Sequence, residues 1–165
     1  MSTSRMRMRL DLTHQAVDST PSMRPPCPDD VESLAELMLA AYAGGSDVDG
    51  DETIEDARGE IQKTFDGRYG AFMPELSSLV MDERRIVAAT LITFFDEHPL
   101  VSFTMTHPDW KRRGLGRATI CRSINLLLES NWQTLDLVVT RENDPAVNLY
   151  KKMGFCEIEN DQPNG

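Results

Sequence analysis

The sequence has no long hydrophobic run. No stretch approaches the roughly 18 consecutive apolar residues that a membrane-spanning helix requires. The N-terminal residues are rich in Ser and Arg but lack the apolar core of a secretory signal peptide. We therefore expect neither a membrane partner nor secretion.

Cysteine and histidine are also scarce, with three residues of each type. The six positions are Cys27, Cys121, Cys156, His14, His98 and His107. The cysteines form no C-x-x-C pair, and the histidines lack the close helical spacing of a metal site. The pattern predicts no disulfide framework and no metal centre, and the simplest setting for it is the reducing cytoplasm.

Basic residues are outnumbered: 17 Lys and Arg face 27 Asp and Glu, which gives a net charge of -10. This balance argues against nucleic acid as a partner. It fits a cationic substrate, and it equally fits a need for solubility alone. One short region reverses the sign, because Lys111, Arg112, Arg113 and Arg117 lie within seven residues. This inversion indicates a bound polyanion; the alternative is a solvated loop face.

The hydrophobic pattern predicts one domain with a mixed α/β sheet. The element order is helix, helix, three strands, helix, strand, helix and strand. Predicted helices span 29–42, 53–65, 114–129 and 144–153, and predicted strands span 77–81, 86–95, 100–106, 135–140 and 155–158. Asp29 or Asp30 is expected to cap the first helix, and Asp144-Pro145 the last.

Both ends of the chain are expected to differ from this domain. Residues 1–28 form an N-terminal extension with a possible strand at 5–12, where RMRMRLDL alternates with a period of two. The domain spans 29–160, and 161–165 form a tail. An acidic stretch at 46–55 begins like a calcium loop, but Glu52 stands where that loop requires Gly. We interpret it as a solvated loop that borders the substrate site.

The segment KRRGLG at 111–116 follows a predicted strand and opens a predicted helix. The first N–H groups of a helix have no internal partner, and the helix dipole adds positive charge there. Gly114 and Gly116 are expected to let a pyrophosphate approach the backbone. The pattern is not a P-loop, and Thr119 replaces the third glycine of a dinucleotide fingerprint.

Two segments, THPDWKRRGLGRA at 106–118 and ENDPAVNLYKKMGF at 142–155, resemble motifs A and B of the Gcn5-related N-acetyltransferase (GNAT) superfamily. Lys111 occupies the first place of the family's Q/R-x-x-G-x-G/A motif, a conservative departure. The predicted element order over 29–158 is also similar. The resemblance implies a mostly antiparallel sheet, splayed at the coenzyme A (CoA) site and flanked by about four helices, with acetyl-CoA as cosubstrate.

The resemblance also implies residue roles. The backbone of the 104–106 strand pairs with the pantetheine arm, residues 111–117 hold the pyrophosphate, and the next helix adds one contact. The implied cofactor-binding residues are Thr104, Met105, Thr106, Lys111, Arg112, Arg113, Gly114, Leu115, Gly116, Arg117 and Asn143. Tyr150 is implied as the general acid that protonates the departing sulfur, with a backbone N–H near Met105 polarising the carbonyl.

The implied reaction is direct attack of an amine on the thioester, and the acceptor is a primary amine of a small molecule or a protein. No base is identified, because the 100–106 strand has no acidic residue. The candidates are turn residues: Glu83, Asp96, Glu97 and His98. Two alternatives remain open: a non-catalytic acyl-CoA-binding module, and a nucleotide-binding protein unrelated to CoA.

The family usually adds a seventh strand after the one at 155–158, but only polar residues follow here. Either the sheet is shortened, or another strand substitutes, and residues 5–12 are a candidate for that strand. Either the same chain supplies that strand, or a partner subunit does, in which case the protein is a homodimer.

Overall fold

The computed structural model describes residues 4–15, 22–42 and 53–158. Most of the acidic stretch and the predicted tail lie outside this part. The strands are Arg5–Asp11 (β1), Met23–Arg24 (β2), Ala71–Phe72 (β3), Ser78–Asp82 (β4), Arg85–Phe95 (β5), His98–Thr106 (β6), Thr134–Thr140 (β7) and Cys156–Glu157 (β8). The helices are Val31–Tyr42 (α1), Ile54–Phe65 (α2), Leu115–Glu129 (α3) and Asp144–Met153 (α4).

The strands form one mixed sheet in the order β2-β4-β5-β6-β7-β1-β8, with β3 paired to β5. Every pairing is antiparallel except that of β6 with β7. Helices α1 and α2 pack on one face of the sheet, and α3 and α4 on the other. The predicted mixed sheet with four helices is therefore confirmed. The pattern does not predict β2 and β3, since two residues are too few to show a period.

The N-terminal strand β1 lies between β7 and β8 and pairs with both. Its side chains alternate between the two faces of the sheet, as the sequence predicts. Met6, Met8 and Leu10 are buried against α3 and α4, and the arginines point to the opposite face. The candidate replacement strand is thus supplied by the same chain. A partner subunit is not needed to complete this edge.

A buried ion cluster holds β1 against β7. Asp136 of β7 is fully buried, and its carboxylate accepts hydrogen bonds of 2.7 to 2.9 Å from Arg7 and Arg9. Burial alone would raise the pKa of Asp136, but the hydrogen bonds from Arg9 and Arg7 outweigh it, and the pKa is lowered. The single acid in an otherwise apolar strand is explained by this cluster.

Two predicted helix caps are wrong. Asp30 belongs to a 3-10 helix, Pro28–Asp30, and its carboxylate accepts from the Cys27 N–H at 2.8 Å instead of capping α1. The cap of α4 is Asn143 rather than Asp144. In both places two Asn or Asp residues are adjacent in the sequence. The backbone conformation determines which of them can accept from an unpaired N–H at the start of the helix.

Candidate functional site

The sheet opens between β6 and β7. These strands pair only at Leu100 and Val101, which face Asp136 and Leu137, although both strands continue beyond that point. A bulge in the ladder with β5 leaves Ser102 of β6 without an opposite residue, and it bends the strand where the two part. Among the described residues, the later part of β6 therefore has no strand paired to this edge.

The backbone groups along this edge alternate in direction. The N–H of His107 donates to the carbonyl of Val87 in β5 at 2.8 Å. Because hydrogen-bonded and non-bonded residues alternate in an antiparallel ladder, Met105 also bonds to β5. Thr104 and Thr106 therefore present their N–H and C=O groups to the open side. This refines the expectation that all three residues offer their backbone to a ligand.

The first turn of α3 faces the same opening. The first helical hydrogen bond is donated by the Ala118 N–H to the Gly114 carbonyl at 2.9 Å. The N–H groups of Leu115, Gly116 and Arg117 thus have no partner inside the helix. Together with the positive end of the helix dipole, they form a site suited to a phosphate.

The two glycines of this turn serve different purposes. Gly114 has φ of 74°, a left-handed conformation that other residues adopt at a cost, yet a Cβ there would meet nothing within 4 Å. At Gly116 a Cβ would lie 3.1 Å from Oγ1 of Thr106. The left-handed φ thus favours glycine at 114, while at 116 a side chain would crowd Thr106 of β6.

The four cations of the turn divide into two groups. Lys111, Arg112 and Arg117 line the cleft between the turn and β6. Arg113 does not, because its guanidinium stacks over Trp110 with its carbon 4.6 Å from the ring centroid. Within the described ranges none of the four forms an ion pair with an acidic residue. The positive charge at the cleft is therefore not neutralised by these parts of the protein.

The cleft has a volume of about 580 Å³ and combines these features. Of the predicted cofactor residues, all but Arg113 line it. Residues that sequence reasoning did not identify also contribute: Ala41, Tyr42, Trp110, Ile120, Pro145, Ala146 and Leu149. Most of these are apolar residues of amphipathic helices, and their pattern does not distinguish a cleft wall from a core.

Asn143 lies at the cleft as the resemblance implies. Its Oδ1 also caps α4 by accepting from the Ala146 N–H at 3.4 Å. Its side-chain amide N–H groups remain available, so one residue can anchor the helix and contact a ligand.

The ring of Tyr150 is buried beside the cleft. It is 7% exposed, packs edge-on against Phe155 with ring centroids 5.8 Å apart, and does not line the cleft, although Leu149 does. Burial raises its pKa to about 12. In the described part of the chain every fully buried side-chain polar atom has a partner, and no hydrogen bond of the Tyr150 hydroxyl is found. The hydroxyl therefore retains some contact with solvent.

The candidate bases do not reach the cleft. Glu83, Asp96, Glu97 and His98 lie at the ends of strand hairpins, and none lines it. Asp96 instead forms an ion pair with Arg7 at 3.2 Å. No Asp or Glu is among the described residues that line the cleft.

Within residues 4–15, 22–42 and 53–158, no group of three or more His, Cys, Asp or Glu side chains is arranged to hold a metal ion. No helix in these ranges is long and apolar enough to cross a membrane.

The chain resembles known acetyltransferases in sequence. It is 35% identical over 96 residues to the [ribosomal protein bS18]-alanine N-acetyltransferase of Salmonella typhimurium, covering 58% of this chain and 64% of that protein. It is 28% identical over 142 residues to the mycothiol acetyltransferase of Propionibacterium freudenreichii, covering 81% and 42%. The matches thus span less than two thirds of either relative.

The fold is also shared. The PaiA N-acetyltransferase of Thermoplasma acidophilum, solved in complex with coenzyme A, superposes with a TM-score of 0.63 at 15% identity, covering 85% of this chain and 92% of that one. The profile of the acetyltransferase (GNAT) family matches residues 32–155, most of the chain. The chain therefore belongs to the GNAT acetyltransferase family.

Proposed function

We propose that the protein is an N-acetyltransferase that transfers the acetyl group of acetyl-CoA to a primary amine of a small molecule or a protein. One observation carries this proposal: in the described part of the chain, one cleft joins the first N–H groups of α3, three cations that form no ion pair and the open edge of β6. CoA has a pyrophosphate that suits the α3 turn and its cations, and a long arm whose amide groups suit the edge of β6. One relative is named for a ribosomal protein alanine and another for mycothiol, a small molecule, which supports keeping both acceptor classes.

The role proposed for each cofactor-binding residue rests on which of its backbone or side-chain groups faces the cleft. The α3 turn, Lys111, Arg112 and Arg117 would hold the pyrophosphate. Thr104 and Thr106 would pair with the pantetheine amides through their backbone, and Asn143 would add a contact from α4. Arg113, which stacks on Trp110 outside the cleft, would make no contact with the phosphate.

The chemistry is a direct transfer. The neutral amine nitrogen bonds to the thioester carbonyl carbon, and the carbonyl oxygen takes the electron pair as an oxyanion. A backbone N–H of β6 at the open edge would stabilise that charge. The intermediate expels the CoA thiolate, Tyr150 would protonate the sulfur, and the proton of the amine leaves to solvent because no described carboxylate lines the cleft.

Tyr150→Phe is expected to lower kcat about 10-fold with little change in the KM for acetyl-CoA. This is less than general acids typically contribute, because a hydroxyl with a pKa of about 12 matches neutral pH poorly. The melting temperature should stay near that of the wild type, since the hydroxyl makes no hydrogen bond within the described residues.

The matched control is Tyr69→Phe, which removes a hydroxyl bonded to Glu60 outside the cleft. Its kcat should equal that of the wild type. Full activity of Tyr150→Phe would remove the acid role and leave Tyr150 as a packing residue.

Arg117→Gln is expected to raise the KM for acetyl-CoA about 10-fold, the effect of losing one charge-assisted hydrogen bond. Its KM should also depend less on ionic strength, because one charge fewer is screened. Arg113→Gln is the control, since Arg113 does not line the cleft, and its KM should change less than about 2-fold. Equal effects of the two substitutions, measured between 50 and 500 mM salt, would contradict this assignment.

A second candidate function is binding of an acyl-CoA without catalysis. It is favoured by the absence of a carboxylate around the described cleft and by the burial of Tyr150. Thiol release from acetyl-CoA, measured with a panel of small amines and peptides with free N-termini, separates the two. Turnover with any acceptor supports the transferase; a thermal shift with CoA and no turnover supports the binding module.

A further inference from the structure

Three threonines form a chain of hydroxyl groups behind the cleft. Oγ1 of Thr104 in β6 lies 3.3 Å from Oγ1 of Thr90 in β5. Oγ1 of Thr90 lies 2.8 Å from Oγ1 of Thr119, which in turn is 2.8 Å from the carbonyl oxygen of Gly116. Thr90 and Thr119 are fully buried, and Thr104 lines the cleft. The chain therefore links the free strand edge to the phosphate-binding turn of α3.

The direction of donation along this chain is determined by its inner end. A carbonyl oxygen only accepts, so Thr119 donates its hydrogen to Gly116. A hydroxyl has one hydrogen, so Thr90 must donate to Thr119, and Thr104 must donate to Thr90. The reverse order would place two sets of lone pairs face to face at 2.8 Å. Consequently Oγ1 of Thr104 presents only lone pairs to the cleft.

Thr106 provides a contrast on the same strand. Its hydroxyl has no side-chain hydrogen bond within the described residues, and its Oγ1 faces Gly116. This hydroxyl can rotate and either donate or accept. Only Thr104 has its polarity imposed by buried neighbours, so the two hydroxyls differ in what they can recognise.

We propose, building on the function proposed above, that Oγ1 of Thr104 accepts a hydrogen bond from an amide N–H of the pantetheine arm. Thr90 and Thr119 act as positioning residues that keep Thr104 an acceptor. The three hydroxyl groups also connect the Gly116 carbonyl to β5 and β6, so the first turn of α3 is held in a fixed position relative to β6. The site thus selects a donor at this point of the cofactor arm.

The test compares CoA with two CoA analogues in which one or the other amide N–H of the arm is replaced by an ester oxygen. Dissociation constants are measured by calorimetry. The backbone of β6 loses a donor with either analogue, so the preference for the amide at Thr104 is the difference between the two analogues. The wild type should bind the analogue without the N–H that faces Thr104 about 3- to 10-fold more weakly than the other, the effect of one neutral hydrogen bond. In Thr119→Val, Thr90 can turn its hydrogen toward Thr104, which frees the Thr104 hydrogen for the cleft. The preference for the amide should then fall below about 2-fold.

Three further variants make the result specific. Ser123→Ala removes a buried hydroxyl one helical turn after Thr119, bonded to Ser78 away from the cleft, and should keep the wild-type preference. Thr90→Ser retains the hydroxyl and should keep it too. Thr104→Val removes the acceptor at a half-buried position and should lose it, which provides a second route if Thr119→Val does not fold.

The outcomes separate the two proposals. Equal binding of the two analogues by the wild type, or an undiminished preference in Thr104→Val, would overturn the role of Thr104. An undiminished preference in a folded Thr119→Val would overturn the positioning role. If the wild type binds no CoA at all, the proposed function itself fails, whatever the variants do.

Discussion

Gly116→Val is expected to raise the KM for acetyl-CoA by at least ~100-fold, which corresponds to ~2.8 kcal/mol of lost binding. A Cβ at this position lies 3.1 Å from Oγ1 of Thr106, closer than a comfortable contact, and the branched methyl groups would project between the turn and β6. The turn has little room to move away, because the Gly116 carbonyl is bonded to the buried Thr119.

The size of this effect reflects what the turn supplies. Each charge-assisted hydrogen bond to a phosphate contributes about 1.5–3 kcal/mol, and several depend on the same close approach. Steady-state kinetics and calorimetry with CoA both measure the loss. Unfolding in denaturant shows whether the variant is still folded.

Gly59→Val is the matched control. Gly59 also lies in a helix, and a Cβ there would meet no atom within 4 Å. It tests whether valine in place of a helical glycine affects the cofactor by itself, and its KM should equal that of the wild type. Wild-type affinity in a folded Gly116→Val would mean that the α3 turn does not hold the pyrophosphate.

Asp136→Ala is expected to lower the free energy of unfolding by about 3–5 kcal/mol, the usual cost of breaking a buried ion pair from one side. The Asp136 side chain has no exposure, and those of Arg7 and Arg9 are 13% and 30% exposed. Removal of the carboxylate leaves the guanidinium groups of Arg7 and Arg9 partly buried and without their hydrogen bonds to Asp136. Urea unfolding followed by circular dichroism measures the change.

The control for this substitution is Glu157→Gln. Glu157 pairs with Arg141 at the same edge of the sheet, but both side chains are well exposed. Exposed ion pairs contribute little to stability, so the urea midpoint should move only slightly. Equal midpoint shifts in the two variants would show that the buried cluster does not hold β1 in place.

The stabilisation by Asp136 should also depend on pH. The pKa of Asp136 is lowered in the folded protein, so the folded state binds this proton less readily than the unfolded chain does. The contribution is therefore fully present above the ordinary carboxyl pKa of about 4, and it is lost as the pH falls further toward the folded-state value. Asp136→Ala should accordingly be less sensitive to acid below about pH 4 than the wild type.

The sequence predicts best those segments whose conformation is determined by residues close to one another along the chain. The turn at 111–116 is one, because glycine, clustered charge and the step from strand to helix all lie within a few residues. The alternation of 5–12 is another, since a strand with one buried face shows a period of two wherever it finally pairs. The helices and long strands follow from the same periodicities.

Only the tertiary structure decided where those elements meet. That β1 lies between β7 and β8 depends on contacts between distant parts of the chain. That Arg113 stacks on Trp110 and Tyr150 on Phe155 depends on how short connecting segments turn, which the hydrophobic pattern does not show. The polarity of Thr104 depends on residues 14 and 15 positions away, which no local pattern connects. The sequence by itself thus determined the helices, the longer strands and the composition of the turn at 111–116. Long-range packing and register determined which groups face the cleft, because a side chain's direction depends on its strand partners as well as on its own neighbours.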